Sequence, residues 1–86
     1  MEQKIELPVG RKTFILIVKD NDDLELYVDN CLRKQDLAEG SHVLYVWTNI
    51  ELDWEEHRFV EARFHRSSRQ LQVTVNREEV LSETLS

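Results

Sequence analysis

The sequence predicts an all-β domain, an antiparallel two-sheet sandwich of seven or eight strands built from two pseudo-repeated hairpin units. Three observations lead there. A strand, polar turn, strand, two-residue turn, strand layout over residues 12–34, centred on TFILIVKDNDDLELYVDNCLR, returns in degraded form over 57–81 as HRFVEARFHRSSRQLQVTVNREEVL. The second strand of each copy alternates strictly, Leu24, Leu26 and Val28 against Glu25, Tyr27 and Asp29, then Leu71, Val73 and Val75 against Gln72, Thr74 and Asn76. A period of two puts one face on a core and the other in water. Strand-like runs also recur at hairpin spacing along nearly the whole chain. Two such units cannot each bury a face alone, but packed face to face they can. A partly open barrel is the alternative closure.

The copies overlay when Phe14 is set on Phe59 and Leu24, Leu26 and Val28 on Leu71, Val73 and Val75, with two extra residues in the second polar turn. Each copy turns at two polar residues, Asp29-Asn30 and Asn76-Arg77. Asp and Asn tolerate the left-handed backbone of a type I′ hairpin turn.

In chain order, Glu2 to Leu7 reads as an edge strand ending at Pro8-Val9-Gly10, because Pro cannot donate to a ladder and Gly permits the turn. Thr13 to Val18 is apolar on both parities, the pattern of a central strand covered on both faces. Strands follow at Leu24 to Val28 and Cys31 to Lys34. Between Gln35 and Gly40 the alternation fails. Asp36 and Glu39 have capping-box spacing and Gly40 suits a left-handed stop, which together predict one helical turn. Ser41 to Leu52 gives the longest strand-like run. It carries Leu44, Val46, Ile50 and Leu52 on one parity and Val43, Tyr45 and Trp47 on the other, so both faces want cover. Leu81 to Ser86 reads as a fraying tail.

The chain is 86 residues long, which is one domain, 1–86, with no room for a second. No apolar run approaches the ~18 residues of a membrane helix, and the first ten residues signal neither secretion nor import. A single cysteine, Cys31, forms no internal disulfide. These features together predict a soluble cytoplasmic protein without membrane contact. A net charge of −6 argues against nucleic acid as a main partner. The charge is uneven. Residues 20–29 hold five carboxylates and no base, residues 51–56 hold four more, and residues 57–69 hold Arg58, Arg63, Arg66 and Arg69 against Glu61. The acidic and basic stretches can pair within the fold or between copies.

Asp53, Glu55 and His57 alternate and would share a face on a continuous strand, where two carboxylates and an imidazole suit a divalent metal. They fall where a turn is expected, so a solvated acidic connection is the simpler reading, and no metal or cofactor is expected. The turn Asp20-Asn21-Asp22-Asp23 lacks the Gly and distal Glu of a calcium loop. Cys31 with His57 or His65 has no spacing to recommend it as nucleophile and base, and no phosphate loop or nucleophile elbow is present. The chain therefore reads as a non-enzyme. Phe59 and Phe64 with the surrounding arginines suggest base stacking on phosphate-bound strands, but Phe64 shares the parity of Val60 and Ala62 and fits a core. Arg58 and Arg66 lie on one parity, Arg63 and Arg69 on the other.

Tyr45 and Trp47 carry the most functional information. Amphipathic aromatics are enriched at interface hot spots, and these sit on a strand whose opposite parity already supplies a core stripe. The competing reading buries both faces, with Trp47 as a core anchor. Trp54, in the acidic connection, suits a lid or contact residue.

The order GRKTFILIV, DLELYVDNCLRK, GSHVLYVWT, HRFVEARF and QLQVTVNREEVL, roughly residues 4 to 82, resembles the β-sandwich domains of the Fas apoptotic inhibitory molecule family. The family's usual Gly in the two-residue turn is Asn30 and Arg77 here, and the resemblance carries no functional residue. It implies a non-enzymatic antiparallel sandwich acting through protein contacts. The functional expectation is thus a protein-interaction or self-assembling module that binds a protein partner or a second copy through Tyr45, Trp47, Trp54, Arg63 and Arg66. A small-ligand binder with the same aromatics lining a cleft is the alternative, and a metal-dependent hydrolase a weaker one.

Overall fold

The computed structural model of the chain describes residues 2–52 and 56–85. Eight strands follow in order: β1 (Gln3–Val9), β2 (Lys12–Val18), β3 (Leu24–Val28), β4 (Cys31–Asp36), β5 (Val43–Leu52), β6 (Glu56–His65), β7 (Gln70–Val75) and β8 (Glu78–Thr84). They make two four-stranded antiparallel meanders, β1-β2-β3-β4 and β5-β6-β7-β8, packed together as separate sheets rather than closed into a barrel.

The alternation in the sequence becomes the core. Phe14, Leu16 and Val18 of β2 and Leu24, Leu26 and Val28 of β3 point inward from the first sheet. Leu44, Val46 and Ile50 of β5, Val60, Ala62 and Phe64 of β6, and Leu71 and Val73 of β7 point inward from the second, and none of these is more than 2% exposed. At ~1.5–3 kcal/mol for each large apolar side chain removed from water, these stripes dominate the fold's stability.

Both two-residue turns take the left-handed backbone expected of them, with φ of 49° and 69° at Asp29 and Asn30, and 50° and 70° at Asn76 and Arg77. Their first side chains do the same work in each copy. Asp29 Oδ1 accepts from the Thr13 N–H at 3.1 Å, and Asn76 Oδ1 from the Phe59 N–H at 2.8 Å. That pairing corrects the overlay of the repeats. Thr13 corresponds to Phe59, and Phe14 corresponds to Val60, since Val28 pairs with Phe14 and Val75 with Val60. The second polar turn is one residue longer, not two: five residues lie between the paired Val18 and Leu24, and six between Phe64 and Leu71. A slip of one residue turns every side chain to the other face, so Phe59 faces outward and Val60 inward. Each copy also has a register shift at the same place, Leu26/Tyr27 and Val73/Thr74.

Three other expectations change. β2 is central but covered on one face only: Ile15 and Ile17 stay half-buried on the outer side. Instead of a helical turn after β4, Ala38 to Ser41 forms a β-turn, closed by the Ser41 N–H on the Ala38 carbonyl at 2.9 Å with Gly40 at φ 77°. Asp36, the expected cap, accepts from the Tyr45 N–H at 2.8 Å and ties β4 to β5. The tail does not fray: β8 pairs along β7, and Leu85 is 5% exposed with its N–H on the Arg69 carbonyl.

Candidate functional site on the outer face of the second sheet

β5 is an edge strand, paired only with β6. Leu44, Val46, Thr48 and Ile50 enter the core, so Val43, Tyr45, Trp47 and Asn49 must face away from it. Val43, Tyr45 and Trp47 are 45%, 36% and 42% exposed, which makes Trp47 a surface residue and not a core anchor. The antiparallel register sets Tyr45 opposite Arg63, Trp47 opposite Glu61 and Asn49 opposite Phe59. Phe59 therefore lies diagonal to Trp47, within reach of an aromatic side chain. The two rings stack with centroids 5.7 Å apart and planes inclined by 25°.

Each exposed aromatic is topped by a cation. The Lys34 ammonium, from β4 of the other sheet, lies 4.7 Å from the Trp47 ring centre, and the Arg63 guanidinium 4.8 Å from that of Tyr45. At exposed sites such contacts contribute ~0.5–1 kcal/mol each and hold the rings in place. The Tyr45 hydroxyl donates to Glu61, whose carboxylate also pairs with Arg63 at 3.3 Å. Burial and then the Glu61 carboxylate raise the Tyr45 hydroxyl above its ordinary pKa, so it remains a donor at neutral pH. Among the described residues, the Trp47 ring is the one partner of the Lys34 ammonium.

The residues singled out in the sequence do not all meet here. Tyr45, Trp47 and Arg63 form one surface. Trp54, with Asp53 and Glu55 of the metal-like triplet, lies outside the described residues. Arg66 sits beyond the end of β6 and is engaged within the fold, where Nε donates to Asp22 at 3.2 Å and an NH₂ group donates to the Ala38 and Ser41 carbonyls at 3.1 and 3.0 Å. Arg69 donates to the same Asp22 at 2.6 Å. The acidic turn of the first repeat and the basic turn of the second thus pair within one molecule and clamp the sheets together at that end. Burial pushes the Asp22 carboxyl up, but the hydrogen bonds and charges of the two arginines outweigh it and hold it below the usual carboxylate range.

Lys34, Phe59 and Glu61 join the site without a signal in any short stretch of sequence. The β5–β6 register is what brings Phe59 and Glu61 to Trp47, and Lys34 arrives from the other sheet. Glu25, which alternation places on a solvated face, is instead 7% exposed and accepts from Tyr27 and Gln35 at 3.2 Å each. Cys31 is exposed at the start of β4, whereas His65 lies on β6 against Gln72 at 3.0 Å. No group of three metal-ligating side chains occurs among the described residues.

No family model, no curated protein and no solved structure matches the chain. Among the described residues, surface depressions are lined by Asn21, Asp23, Leu37, Ala38, Glu39 and Arg66, by Glu2, Lys19, Asp20 and Asn21, and by Phe59, Glu61, Asn76 and Arg77, the last sharing Phe59 and Glu61 with this site. None of the three is lined by Tyr45 or Trp47.

Proposed function

We propose that this chain is a non-enzymatic protein-interaction module whose contact surface is the outer face of the β5–β6 hairpin. The observation that carries the reading is an edge strand that buries Leu44, Val46, Thr48 and Ile50 on one face and presents Val43, Tyr45 and Trp47 to solvent on the other. Contiguous exposed aromatics of this kind mark interaction sites. A ligand cleft needs a concavity lined by these rings; among the described residues, the depression that adjoins them is lined by Phe59, Glu61, Asn76 and Arg77, with Tyr45 and Trp47 outside it. The resemblance to the Fas apoptotic inhibitory molecule family, which implies action through protein contacts, supports the same reading.

The cations over the rings set the chemistry of the partner, an apolar segment that carries carboxylates to meet Lys34 and Arg63. Panning a displayed random-peptide library on the wild-type chain, with Trp47→Ser as counter-selection, tests this. Enrichment of peptides combining Asp or Glu with large apolar residues, lost on Trp47→Ser, supports the reading. Enrichment that is indifferent to Trp47→Ser, or none at all, sinks it.

A further inference from the structure

We infer that β8 of a second copy of the chain pairs along the open edge of β4, the strand whose Lys34 caps Trp47 on this face, joined head to tail. The inference rests on the interaction-face reading above and names the partner for it. Among the described residues the exposed large hydrophobics are Leu32, Leu37, Val43, Tyr45, Trp47 and Val80. Five of these lie on β4, on β5 or in the connection between them. The sixth, Val80, is 47% exposed in the middle of β8.

The two regions have opposite charge. β4 carries Arg33 and Lys34. The one acid of β4, Asp36, is already bonded to the Tyr45 N–H. β8 carries Glu78, Glu79 and Glu83 and no base, and all three are exposed. Both strands are sheet edges, β4 bonded only to β3 and β8 only to β7, so each presents an open row of backbone groups. Their register shifts fall at equivalent places in the two repeats, so the added twist is shared by both edges.

Like-with-like pairing is disfavoured. Two β4 strands would bring Arg33 and Lys34 against their own copies, and two β8 strands would oppose glutamates. The β8-to-β4 contact instead places glutamates against Arg33 and Lys34, and brings exposed Val80 to the edge that carries exposed Leu32. Because the two surfaces differ, the contact is heterologous, and a joined pair keeps one free surface of each kind, β4 on one copy and β8 on the other.

Sedimentation velocity over a concentration series at 0.15 M salt, on wild type, Arg33→Glu/Lys34→Glu, Glu78→Lys/Glu79→Lys and their equimolar mixture, tests the inference. The wild type should grow in mass with concentration and fall back toward monomer in 1 M salt. Each charge-reversed chain alone should associate at least ~tenfold more weakly. Mixing them should restore association, because each reversed edge then meets a reversed partner. Thermal melts confirm that both variants are folded, and the restored assembly is a second control on the same point. A wild type that is monomeric at every concentration overturns the inference, as does a mixture no more associated than its parts. A monomeric wild type that still captures acidic-apolar peptides in a Trp47-dependent way removes the second copy as occupant and leaves the interaction face standing.

Discussion

The two sheets follow one backbone plan and differ in what they show to solvent. In both, the first side chain of the two-residue turn accepts from a backbone N–H of the neighbouring strand, Asp29 from Thr13 and Asn76 from Phe59, and in both the ladder slips at the same place. The inner faces also correspond position by position, Phe14 with Val60, Leu16 with Ala62, Val18 with Phe64. The outer faces have diverged. The first sheet shows half-buried Ile15, Ile17 and Tyr27 around the enclosed Glu25, whereas the second shows Tyr45 and Trp47 under their cations, with Phe59, Glu61 and Arg63. Inner positions answer to packing and tolerate only exchanges of volume. Outer positions are free to differ, and there the second sheet exposes Tyr45 and Trp47.

The largest effect should come from the inner face. Leu16→Asp places a carboxylate in a fully apolar layer, a cost comparable to a small domain's whole stability of ~5–15 kcal/mol. Circular dichroism should show no cooperative melt. The correspondence can then be sharpened with gentler changes. Leu16→Ala should cost ~2–5 kcal/mol through the cavity it leaves, while Ala62→Leu at the matching position should cost ~1–3 kcal/mol through overpacking. If Ala62→Leu proves neutral in denaturant melts, the two layers are not packed as close counterparts.

Next in size is the clamp between the acidic turn of one repeat and the basic turn of the other. Asp22→Asn removes a charge that accepts from Arg66 at 3.2 Å and Arg69 at 2.6 Å. Hydrogen bonds to a charged group contribute ~1.5–3 kcal/mol, reduced here because both arginines are about one-third exposed, at 37% and 34%. The pH dependence follows from the direction of the shift. Since the folded Asp22 carboxyl lies below its ordinary value, its contribution is full above about pH 4 and is lost as pH falls through the folded value. Wild type should therefore lose melting temperature on acidification below about pH 4, and Asp22→Asn should show a shallower loss over the same window. Identical pH profiles would mean that the clamp contributes nothing.

A smaller effect is expected on the outer face of the second sheet. Trp47→Ala removes a 42%-exposed ring with one stacked neighbour and one cation above it, and should cost about 1 kcal/mol. A loss as large as that of Leu16→Ala would place Trp47 energetically in the core and take away the distinction between the two faces of β5.

Much of this was legible in the sequence, and what was missed has physical causes. The strictly alternating stretches Leu24–Val28 and Leu71–Val75 allow only one inward face, so strands, turns and stripes follow from them. Phe59-Val60 offers two adjacent apolar residues; the parity of Ala62 and Phe64 turns Val60 inward, against the overlay of Phe14 on Phe59, and the Asn76 cap and the Trp47 stack engage Phe59 on the outer side. The repeat layout carries a strand from Asn76-Arg77 to Leu81, but its continuation to Thr84 comes from pairing with β7 and from burial of Leu85, neither of which leaves a local pattern. The capping-box reading of Asp36 failed because a donor nine residues on, the Tyr45 N–H, takes its carboxylate. Tyr45 and Trp47 were visible by parity. Lys34 and Phe59, which hold Trp47, were not, because the contacts come from another strand and another sheet.

The smallest effect tests the repeat at its most local level. Asn30 and Arg77 occupy the same turn position with φ of 69° and 70°, a region that glycine enters freely, Asn tolerates and most side chains resist by ~1–2 kcal/mol. Replacing either with Gly relieves that strain but adds freedom to the unfolded chain, at a cost of ~0.5–1 kcal/mol. For Asn30 the two terms should nearly cancel. For Arg77 the relief is larger, so Arg77→Gly should raise stability by up to ~1 kcal/mol, visible as a small rise in denaturation midpoint with unchanged slope. If the gain falls on Asn30→Gly and not on Arg77→Gly, the two turns carry different strain despite their matching backbone, and the correspondence between the sheets ends at the hydrogen bonds of Asp29 and Asn76.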